Sequence, residues 1–302
     1  MEVLRASAMG FCFGVRDALA AALAVAEPHR VTIHGELVHN EAVHALLAGR
    51  GFRTVAEDRR AAALPATEQV LITAHGISDR ERSRLLAGGK TLLDTTCPLV
   101  RKAHAAAVQL AAEGYHVLVL GKRGHVEVRG LTEDLPGFDV IGGLEDVRTF
   151  PHARLGIVCQ TTVPIAQARA LAQEIRCRNR HADVRFLDTV CEPTKQRIAA
   201  VEALLGRVDA MVVVGGRNSN NTAKLVELCA RAGLPVVHVN AAAELDPAAF
   251  TGCRRVGLTA GTSTLDASIE EVHAALLALQ PGHLPTGAAL PPAAARDPRC
   301  AG

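Results

Sequence analysis

Three of the eight cysteines stand at equivalent positions of an internal repeat, and thiols in such a register can share one metal centre. The segment 94–98 is Asp-Thr-Thr-Cys-Pro, and the segment 188–193 repeats it as Asp-Thr-Val-Cys-Glu-Pro. A helical stretch and then an apolar strand follow Cys97 and Cys191, and a glycine ends each strand at the same distance from its cysteine. A looser third copy begins at Cys12. A single thiol is usually a small buried hydrophobe, but three in register favour metal ligation.

Three thiols from distant parts of the chain are compatible with a zinc site, an iron–sulfur cluster, or three thiols that merely begin helices. Structural zinc normally has four protein ligands, often close in sequence. Three ligands leave one position open, as a catalytic metal requires, and a [4Fe–4S] cluster held this way would present its fourth iron to a substrate. Helix N-termini would also favour the thiolate form. The cysteines outside the register are predicted to be ordinary thiols: Cys159, Cys177, Cys229, Cys253 and Cys300.

Polar side chains recur in the same repeat, just beyond the ends of predicted strands. They form two sets at matching offsets: His39, His125 and Ser219, then His75, Thr161 and Ser263. With the amides of Asn220 and Asn221, these imidazoles and hydroxyls suit phosphate oxygens better than a metal, although the serines and asparagines could simply cap helices. Glu127 is the carboxylate beside this set. In a dry pocket it could deliver protons, and the alternative is an ordinary solvated glutamate.

Short apolar strands alternate with Ala- and Leu-rich helical stretches, which is typical of parallel sheets covered by helices. We therefore predict an α/β fold of three αβ units with small, mostly parallel sheets. The units are expected to span 1–96, 97–187 and 188–279, each with one of the three register cysteines. If they pack around a pseudo-threefold axis, the cysteines converge on one point. The last stretch, 280–302, is rich in proline and alanine and is predicted to be a disordered tail.

The composition argues against several classes of function. The 302 residues carry 33 Lys and Arg against 31 Asp and Glu, so the net charge is +2 and nucleic acid is not expected as a partner. One tyrosine and no tryptophan make a base-stacking platform unexpected. The N-terminal segment does not resemble a signal peptide, and its apolar run 18–26 is too short to span a bilayer, so no membrane association is expected. We expect a protein of the reducing cytoplasm.

A series of short motifs follows one order along the chain. They are GFCFGV at 10–15, VHN at 38–40, AHG at 74–76, DTTCPLV at 94–100, GHVEVRG at 124–130, QTT at 160–162, Cys191, and NSNN at 218–221. Together they resemble the 4-hydroxy-3-methylbut-2-enyl diphosphate reductase family over about residues 3 to 279. The resemblance implies a trefoil-like protein of three αβ domains around an oxygen-sensitive [4Fe–4S] cluster. It also implies the last step of the methylerythritol phosphate route, in which two electrons and two protons remove an allylic hydroxyl.

The resemblance implies products, partners and residue roles as well. The products would be isopentenyl and dimethylallyl diphosphate, and reduced ferredoxin or flavodoxin would supply the electrons. Glu127 would relay a proton with His125 near the diphosphate, and Thr161 would hydrogen-bond near the substrate hydroxyl. The cluster would be held by Cys12, Cys97 and Cys191. The substrate would be bound by His39, His75, His125, Thr161, Ser219, Asn220, Asn221 and Ser263.

Four positions depart from the family pattern. Val126 replaces a proline and could move the backbone before Glu127, and Asn220 replaces a serine. Ile198 and Leu265 replace a glutamine and a proline. These changes leave open a paralogue with an altered substrate. Two further alternatives are a non-catalytic iron–sulfur protein that binds a ligand or senses redox state, and a zinc hydrolase. A retained proton donor argues against the sensor, which needs none.

Overall fold

The computed structural model describes residues 1–60 and 62–279 and contains, within them, twelve strands and nine α-helices. The strands are β1 (Glu2–Arg5), β2 (Val31–His34), β3 (Arg53–Val55), β4 (Gln69–Ile72), β5 (Thr91–Asp94), β6 (His116–Leu120), β7 (Phe138–Ile141), β8 (Arg154–Cys159), β9 (Asp183–Phe186), β10 (Ala210–Val214), β11 (Val236–Val239) and β12 (Arg255–Ala260). The helices are α1 (Phe13–Leu23), α2 (Glu41–Gly49), α3 (Asp79–Ala87), α4 (Pro98–Ala112), α5 (Val126–Thr132), α6 (Ile165–Arg178), α7 (Glu192–Leu205), α8 (Asn220–Arg231) and α9 (Asp266–Ala278). The predicted disordered tail, 280–302, lies outside the described residues. Within those residues, none of the helices combines the length and apolar character needed to cross a membrane.

The strands form three four-stranded sheets in which every pairing is parallel. The strand orders are β3-β2-β4-β5, β7-β6-β8-β9 and β1-β12-β10-β11. In each sheet the strand order reverses between the two central strands. Ligands bind in such sheets at the carboxyl ends of the strands, beside that reversal. The predicted α/β class with three small parallel sheets is confirmed.

The N-terminal strand belongs to the third sheet rather than the first. β1 falls within the segment 1–96, predicted as the first unit, but it pairs with β12 from Glu2 opposite Arg255 to Arg5 opposite Leu258. There it takes the edge place that β5 and β9 take in the other two sheets. The first strand of the chain thus completes the sheet that holds its last strand. The division into units at 97 and 188 otherwise stays a prediction.

The central strands are buried because helices cover both faces of each sheet. Every residue of β2 and β10 is buried, and β8 and β12 expose only their first residue. In the second sheet, Leu118 and Ile157 pack with Leu171 and Ile175 of α6. The continuous apolar runs of these strands therefore have the physical cause expected for parallel sheets. Because the strands are held in the core, the points at which loops leave their carboxyl ends are held in place as well.

Residues able to do chemistry follow the strand ends in a regular order. Each of the edge strands β1, β5 and β9 leads to one register cysteine, which immediately precedes α1, α4 or α7. Each central strand leads to a loop with one of the predicted polar residues: His39 after β2, His75 after β4, His125 after β6, Thr161 after β8, Ser219 after β10 and Ser263 after β12. The regular spacing of these residues in the sequence therefore arises because each one follows the carboxyl end of a strand.

Candidate active site

One pocket gathers all twelve residues that the sequence marks as site residues. They are Cys12, His39, His75, Cys97, His125, Glu127, Thr161, Cys191, Ser219, Asn220, Asn221 and Ser263. Apolar side chains complete the wall, among them Val15, Val38, Leu99 and Val100. Strand-end loops of all three sheets contribute to this wall. The pocket is therefore a property of the whole fold rather than of one unit.

The three register cysteines occupy equivalent places in the backbone. Each is the N-cap residue of its helix, as predicted. Each backbone N–H donates to a carbonyl in a strand-end loop: Cys12 to Thr262 at 3.2 Å, Cys97 to Ala74 at 3.1 Å and Cys191 to Thr161 at 3.0 Å. Pro98 and Pro193 lie in the first turns of α4 and α7, where proline suits helix geometry. This shared anchoring holds the thiols at a common rim.

Burial governs the charge state of two of these thiols. Burial raises the pKa of Cys97, and it raises the pKa of Cys191 to about 11. The expectation that the helix N-terminus favours the thiolate is therefore wrong for these two cysteines, because desolvation disfavours the charged form more strongly. A bound cationic metal would reverse this preference, since metal ligation replaces the proton of a thiol.

Two further features fit an iron–sulfur cluster at the thiols. A Cβ on Gly14 would overlap the Sγ of Cys97, so the start of α1 can approach that thiol only with a glycine. Arg197 is 5% exposed, lies close enough to Cys12 and Cys191 for their charges to affect it, and donates to the Gly10 carbonyl at 2.6 Å. A buried guanidinium here can offset the negative charge of thiolate ligands and sulfide.

Sequence reasoning gave Arg197 no role. A signal was present in the helical period of α7, because Thr194, Arg197, Val201 and Leu204 form its buried face. A charged residue on an otherwise uncharged buried face needs a partner or a function. The structure supplies that partner in the backbone carbonyls of Gly10 and Pro193, which accept hydrogen bonds from the guanidinium group.

Three histidines pack against one another at the pocket. The ring of His39 stacks on His75 with centroids 4.3 Å apart, and His125 meets them edge-on at 5.3 and 5.7 Å. Burial lowers the pKa of His75 well below its ordinary value and that of His125 to about 3. The Nδ1 of His125 accepts the backbone N–H of Glu127 at 3.1 Å, so its ring proton lies on Nε2. His75 and His125 are therefore neutral N–H donors near pH 7.

His39 differs from the other two because it has a carboxylate partner. Its Nδ1 lies 2.9 Å from Oε2 of Glu36, and this hydrogen bond lowers the pKa of Glu36. Among the described residues, neither His75 nor His125 forms an ion pair with a carboxylate. An ionised Glu36 fixes the proton of His39 on Nδ1 and leaves Nε2 for a ligand. Sequence reasoning missed Glu36, although its spacing to His39 in the loop after β2 was visible.

Hydroxyl and amide groups line the pocket beside the histidines, and Ser263 Oγ donates to the backbone carbonyl of His39 at 3.3 Å. Ser219 is the N-cap of α8, and its Oγ lies 3.4 Å from the Oγ of Ser263. The Oδ1 of Asn221 accepts the backbone N–H of Thr262 at 2.9 Å, which fixes the orientation of its amide. Ser219 therefore caps a helix, as expected, and also lines the pocket. Hydroxyls at a helix N-terminus are suited to anionic oxygens.

The positions that depart from the family pattern fit the fold without distortion. Val126 is the first residue of α5, a place where proline is favoured but valine is also accepted. Asn220 lines the pocket, and its amide donates to Thr162 Oγ1 at 2.8 Å. Ile198 and Leu265 pack at the borders of apolar clusters. Glu127 therefore keeps a regular place in the first turn of α5.

Glu127 and Thr161 form a buried pair. Glu127 is 2% exposed, and its Oε1 accepts the backbone N–H of Thr161 at 2.6 Å. The hydroxyl of Thr161 donates to Oε2 at 3.1 Å. Burial raises the pKa of Glu127 to about 7, against the two hydrogen bonds from Thr161, which lower it. The carboxyl group can therefore hold or release a proton near neutral pH.

Fold and pocket together define an α/β protein of three parallel sheets, with three thiols, a set of imidazole, hydroxyl and amide groups, and a buried acid in one pocket. The chain belongs to the family described as LytB protein, whose model matches residues 3–277. This is a family of iron–sulfur enzymes.

Named relatives cover nearly the whole chain. A 4-hydroxy-3-methylbut-2-enyl diphosphate reductase of Anaeromyxobacter sp. (strain K) is 35% identical over 93% of this chain and 100% of its own length. The protein of the same name from Aquifex aeolicus is 32% identical over 94% of this chain and 99% of its own.

Two solved structures share the fold. The E-1-hydroxy-2-methyl-but-2-enyl-4-diphosphate reductase from Plasmodium falciparum superposes with a TM-score of 0.83 at 26% identity, covering 90% of this chain and 87% of that one. An (E)-4-hydroxy-3-methyl-but-2-enyl diphosphate reductase, described as the terminal enzyme of the non-mevalonate pathway, gives 0.63 at 32% identity and covers 92% and 99%.

Proposed function

We propose that this protein is a 4-hydroxy-3-methylbut-2-enyl diphosphate reductase. The reaction takes up two electrons and two protons, breaks the allylic C–O bond, and gives isopentenyl and dimethylallyl diphosphate with water. The observation that carries the proposal is the meeting of three thiols, three histidines and the Glu127–Thr161 pair in one pocket. The names of the relatives agree with this substrate.

The three thiols are the proposed ligands of one [4Fe–4S] cluster per chain. Bound there, the cluster would supply the electrons that the reaction consumes. The residues around it support this assignment, because Gly14 leaves room beside Cys97 and Arg197 brings a buried positive charge. The fourth iron of such a cluster would have no ligand among Cys12, Cys97 and Cys191.

The histidine and hydroxyl walls are the proposed diphosphate site. His75 and His125 offer neutral N–H groups, and His39 is oriented by Glu36. In the same pocket, Ser219 and its neighbours at the N-terminus of α8 offer hydroxyl and amide donors. Such convergent donors bind phosphate oxygens without requiring a strongly basic protein.

Glu127 is the proposed proton donor of the reaction. Its carboxyl group is buried in the pocket wall and is partly protonated near neutral pH. Thr161 holds both carboxyl oxygens and connects the acid to the substrate hydroxyl, while His125 binds the backbone N–H of the same residue. The presence of Glu127 in the same pocket as the three thiols and the polar donors supports this role.

The electron donor and the compartment are also proposals. A reduced ferredoxin or flavodoxin would deliver one electron at a time. A site built from three reduced thiols would persist in the reducing cytoplasm, where disulfides are rare.

Anaerobic metal and sulfide analysis combined with an activity assay tests the proposal. We expect purified protein to contain iron and acid-labile sulfide and to convert the hydroxylated allylic diphosphate with dithionite and a viologen. Cys97→Ala should lose both the cluster and turnover. Zinc without sulfide would indicate a hydrolase, and a full cluster without turnover would indicate a ligand-binding or sensing protein. Full activity of Cys97→Ala would contradict the cluster assignment.

A further inference from the structure

A second cavity of about 210 Å³ lies behind the candidate active site, and we call it the rear cavity. Its wall is formed by the loop 75–77 after β4, by residues of α3 and α4, and by α5. Three side chains line both the rear cavity and the active-site pocket: His75, Val100 and Glu127. These residues therefore separate the two spaces.

The rear cavity is polar and reaches the protein surface. Arg101, whose side chain is 54% exposed, lines it together with Arg82 and the exposed Asp79. His104 also lines it, and the Nε2 of this histidine lies 2.7 Å from Oδ2 of Asp134. A space of this size with charged and hydrogen-bonding walls is large enough for several water molecules. Water there would connect the surface with the separating residues.

Two of the separating residues, Glu127 and His75, have side chains that can bind and release protons. Glu127 is buried, and Thr161, which holds its carboxyl group, lines the active-site pocket but not the rear cavity. The Nδ1 of His75 is buried and has no hydrogen-bond partner among the described residues. A buried polar atom without a partner is costly unless water satisfies it. Because His75 lines the rear cavity, water there could supply that hydrogen bond.

The reaction consumes two protons, so protons must reach Glu127 by a route that does not pass the substrate. One proton leaves with the hydroxyl oxygen as water, and the other forms the new C–H bond, while two electrons come from the reduced donor. Substrate in the active-site pocket covers that side of Glu127 until the product leaves. A second side open to water would allow Glu127 to be protonated again within a turnover.

We propose that the rear cavity is the route by which protons from solvent reach Glu127 while substrate occupies the active-site pocket. The inference rests on the proposed reductase function. It assigns the cavity a role in the reaction and places His104 and Arg101 at its outer end. Neither residue touches the active-site pocket.

Gly130 offers a way to narrow the rear cavity without touching the active site. It lies in α5 and lines the rear cavity, and an added Cβ would meet Ile77 and Gly76 no closer than 3.7 Å. Gly130→Ala therefore fits without displacing its neighbours, and Gly130→Val fills more of the space. We expect kcat to fall in that order, by on the order of tenfold for valine, with KM within about twofold of the parent. The solvent isotope effect of heavy water on kcat should rise in the same order.

Gly137 provides the matched control because it follows α5 in the chain but lines neither cavity. Gly137→Ala and Gly137→Val should keep the parent values of kcat and of the isotope effect. All rates are measured with reduced viologen and normalised to iron content, so loss of cluster is not counted as slow proton transfer. Parent kinetics in both Gly130 variants, or equal losses at both positions, would overturn the proposal. An inactive parent enzyme would instead reject the reductase function itself.

Discussion

At the scale of single residues, the site is governed by ionisable groups that burial holds in unusual states. Burial leaves His75 and His125 neutral, leaves the Cys97 and Cys191 thiols protonated, and gives Glu127 a pKa of about 7. For each of these groups, burial disfavours the charged form relative to the neutral form. The neutral histidines can donate hydrogen bonds to an anion, the thiols can exchange their protons for a metal, and Glu127 can give its proton to an acceptor.

Replacing Glu127 with glutamine should separate proton delivery from cluster binding. Gln preserves the size and can still accept the backbone N–H of Thr161, while its NH2 group donates to the Thr161 hydroxyl instead of accepting from it, and the amide cannot supply a proton. We expect Glu127→Gln to keep its iron and sulfide while kcat falls by on the order of a hundredfold. In the parent, the rate should decline as the pH rises above about 7, where Glu127 loses its proton. Unchanged turnover in the variant would remove Glu127 from the proton relay.

The same substitution should change the pH dependence of folding. Because the folded-state pKa of Glu127 lies above its ordinary value of 4.5, the folded protein holds this proton more tightly than the unfolded chain does. The free energy of unfolding should therefore fall as pH rises from about 4.5 through about 7, by roughly 3 kcal/mol in total. Glu127→Gln should remove this part of the pH dependence, as measured by denaturant unfolding at several pH values.

Glu36 should act on the substrate through His39. Glu36→Gln removes the carboxylate charge that fixes the His39 ring, so we expect the KM to rise about fivefold with little change in kcat. Glu41→Gln is the matched control. Glu36 and Glu41 both line a small cavity beside His39, but Glu41 accepts a hydrogen bond from Asn240 rather than from a histidine. Equal effects of the two substitutions would show that Glu36 contributes only general negative charge.

At the scale of elements, the site is built from strand ends and helix starts. The edge strands β1, β5 and β9 lead to the cysteines, and the central strands lead to the histidines, serine residues and Thr161. The first turns of α1, α4 and α7 are anchored by hydrogen bonds from each cysteine to a neighbouring loop. The N-terminal ends of the three helices therefore all lie at the active-site pocket.

Gly14 lies directly against the Cys97 thiol, so enlarging it should disturb the thiols before it disturbs the fold. A Cβ on Gly14 would overlap the Cys97 Sγ, whereas a Cβ on Gly49, near the end of α2, meets no atom within 4 Å. We expect Gly14→Ala to lower the iron and sulfide content at least severalfold, with a circular dichroism spectrum like the parent. Gly49→Ala should retain the cluster. A full cluster in Gly14→Ala would show that α1 can move away from α4.

The sequence predicts the central strands and the location of the three register cysteines at helix starts, because both have strong local signals. Continuous apolar runs identify buried strands such as β6 and β10, and the repeat identifies the helix starts. The edge strands β1, β3, β5, β7 and β9 are not identified by this signal because they are short and partly exposed. The pairing of β1 with β12 could not be predicted, since it depends on a contact between the two ends of the chain. Glu36 and Arg197 act through tertiary neighbours, so local pattern alone assigned them no role.

At the scale of the whole molecule, the chain closes into a three-part structure. β1 gives the third sheet the edge strand that β5 and β9 give the other two, so each of the three cysteines stands at an equivalent sheet edge. Residues from all three sheets meet in the pocket. A cluster bound by the three thiols would therefore cross-link distant parts of the chain.

Loss of the cluster should destabilise the whole protein rather than one unit. A ligand that binds only the folded state adds to its stability, and here the ligand would join thiols from three parts of the chain. We expect removal of iron with a chelator to lower the melting temperature, by at least several degrees. Cys97→Ala, purified without a cluster, should melt near the chelated parent. Equal melting temperatures with and without iron would show that the fold does not depend on the proposed ligation.

The most direct test of the reductase account is product analysis after turnover in heavy water. The cluster-loaded protein, the hydroxylated allylic diphosphate and reduced viologen are incubated anaerobically, and the products are identified by mass spectrometry. The account predicts isopentenyl and dimethylallyl diphosphate that lack the hydroxyl oxygen and carry one solvent-derived deuterium on carbon. Intact substrate despite a full cluster, or release of phosphate with the hydroxyl group retained, would contradict it.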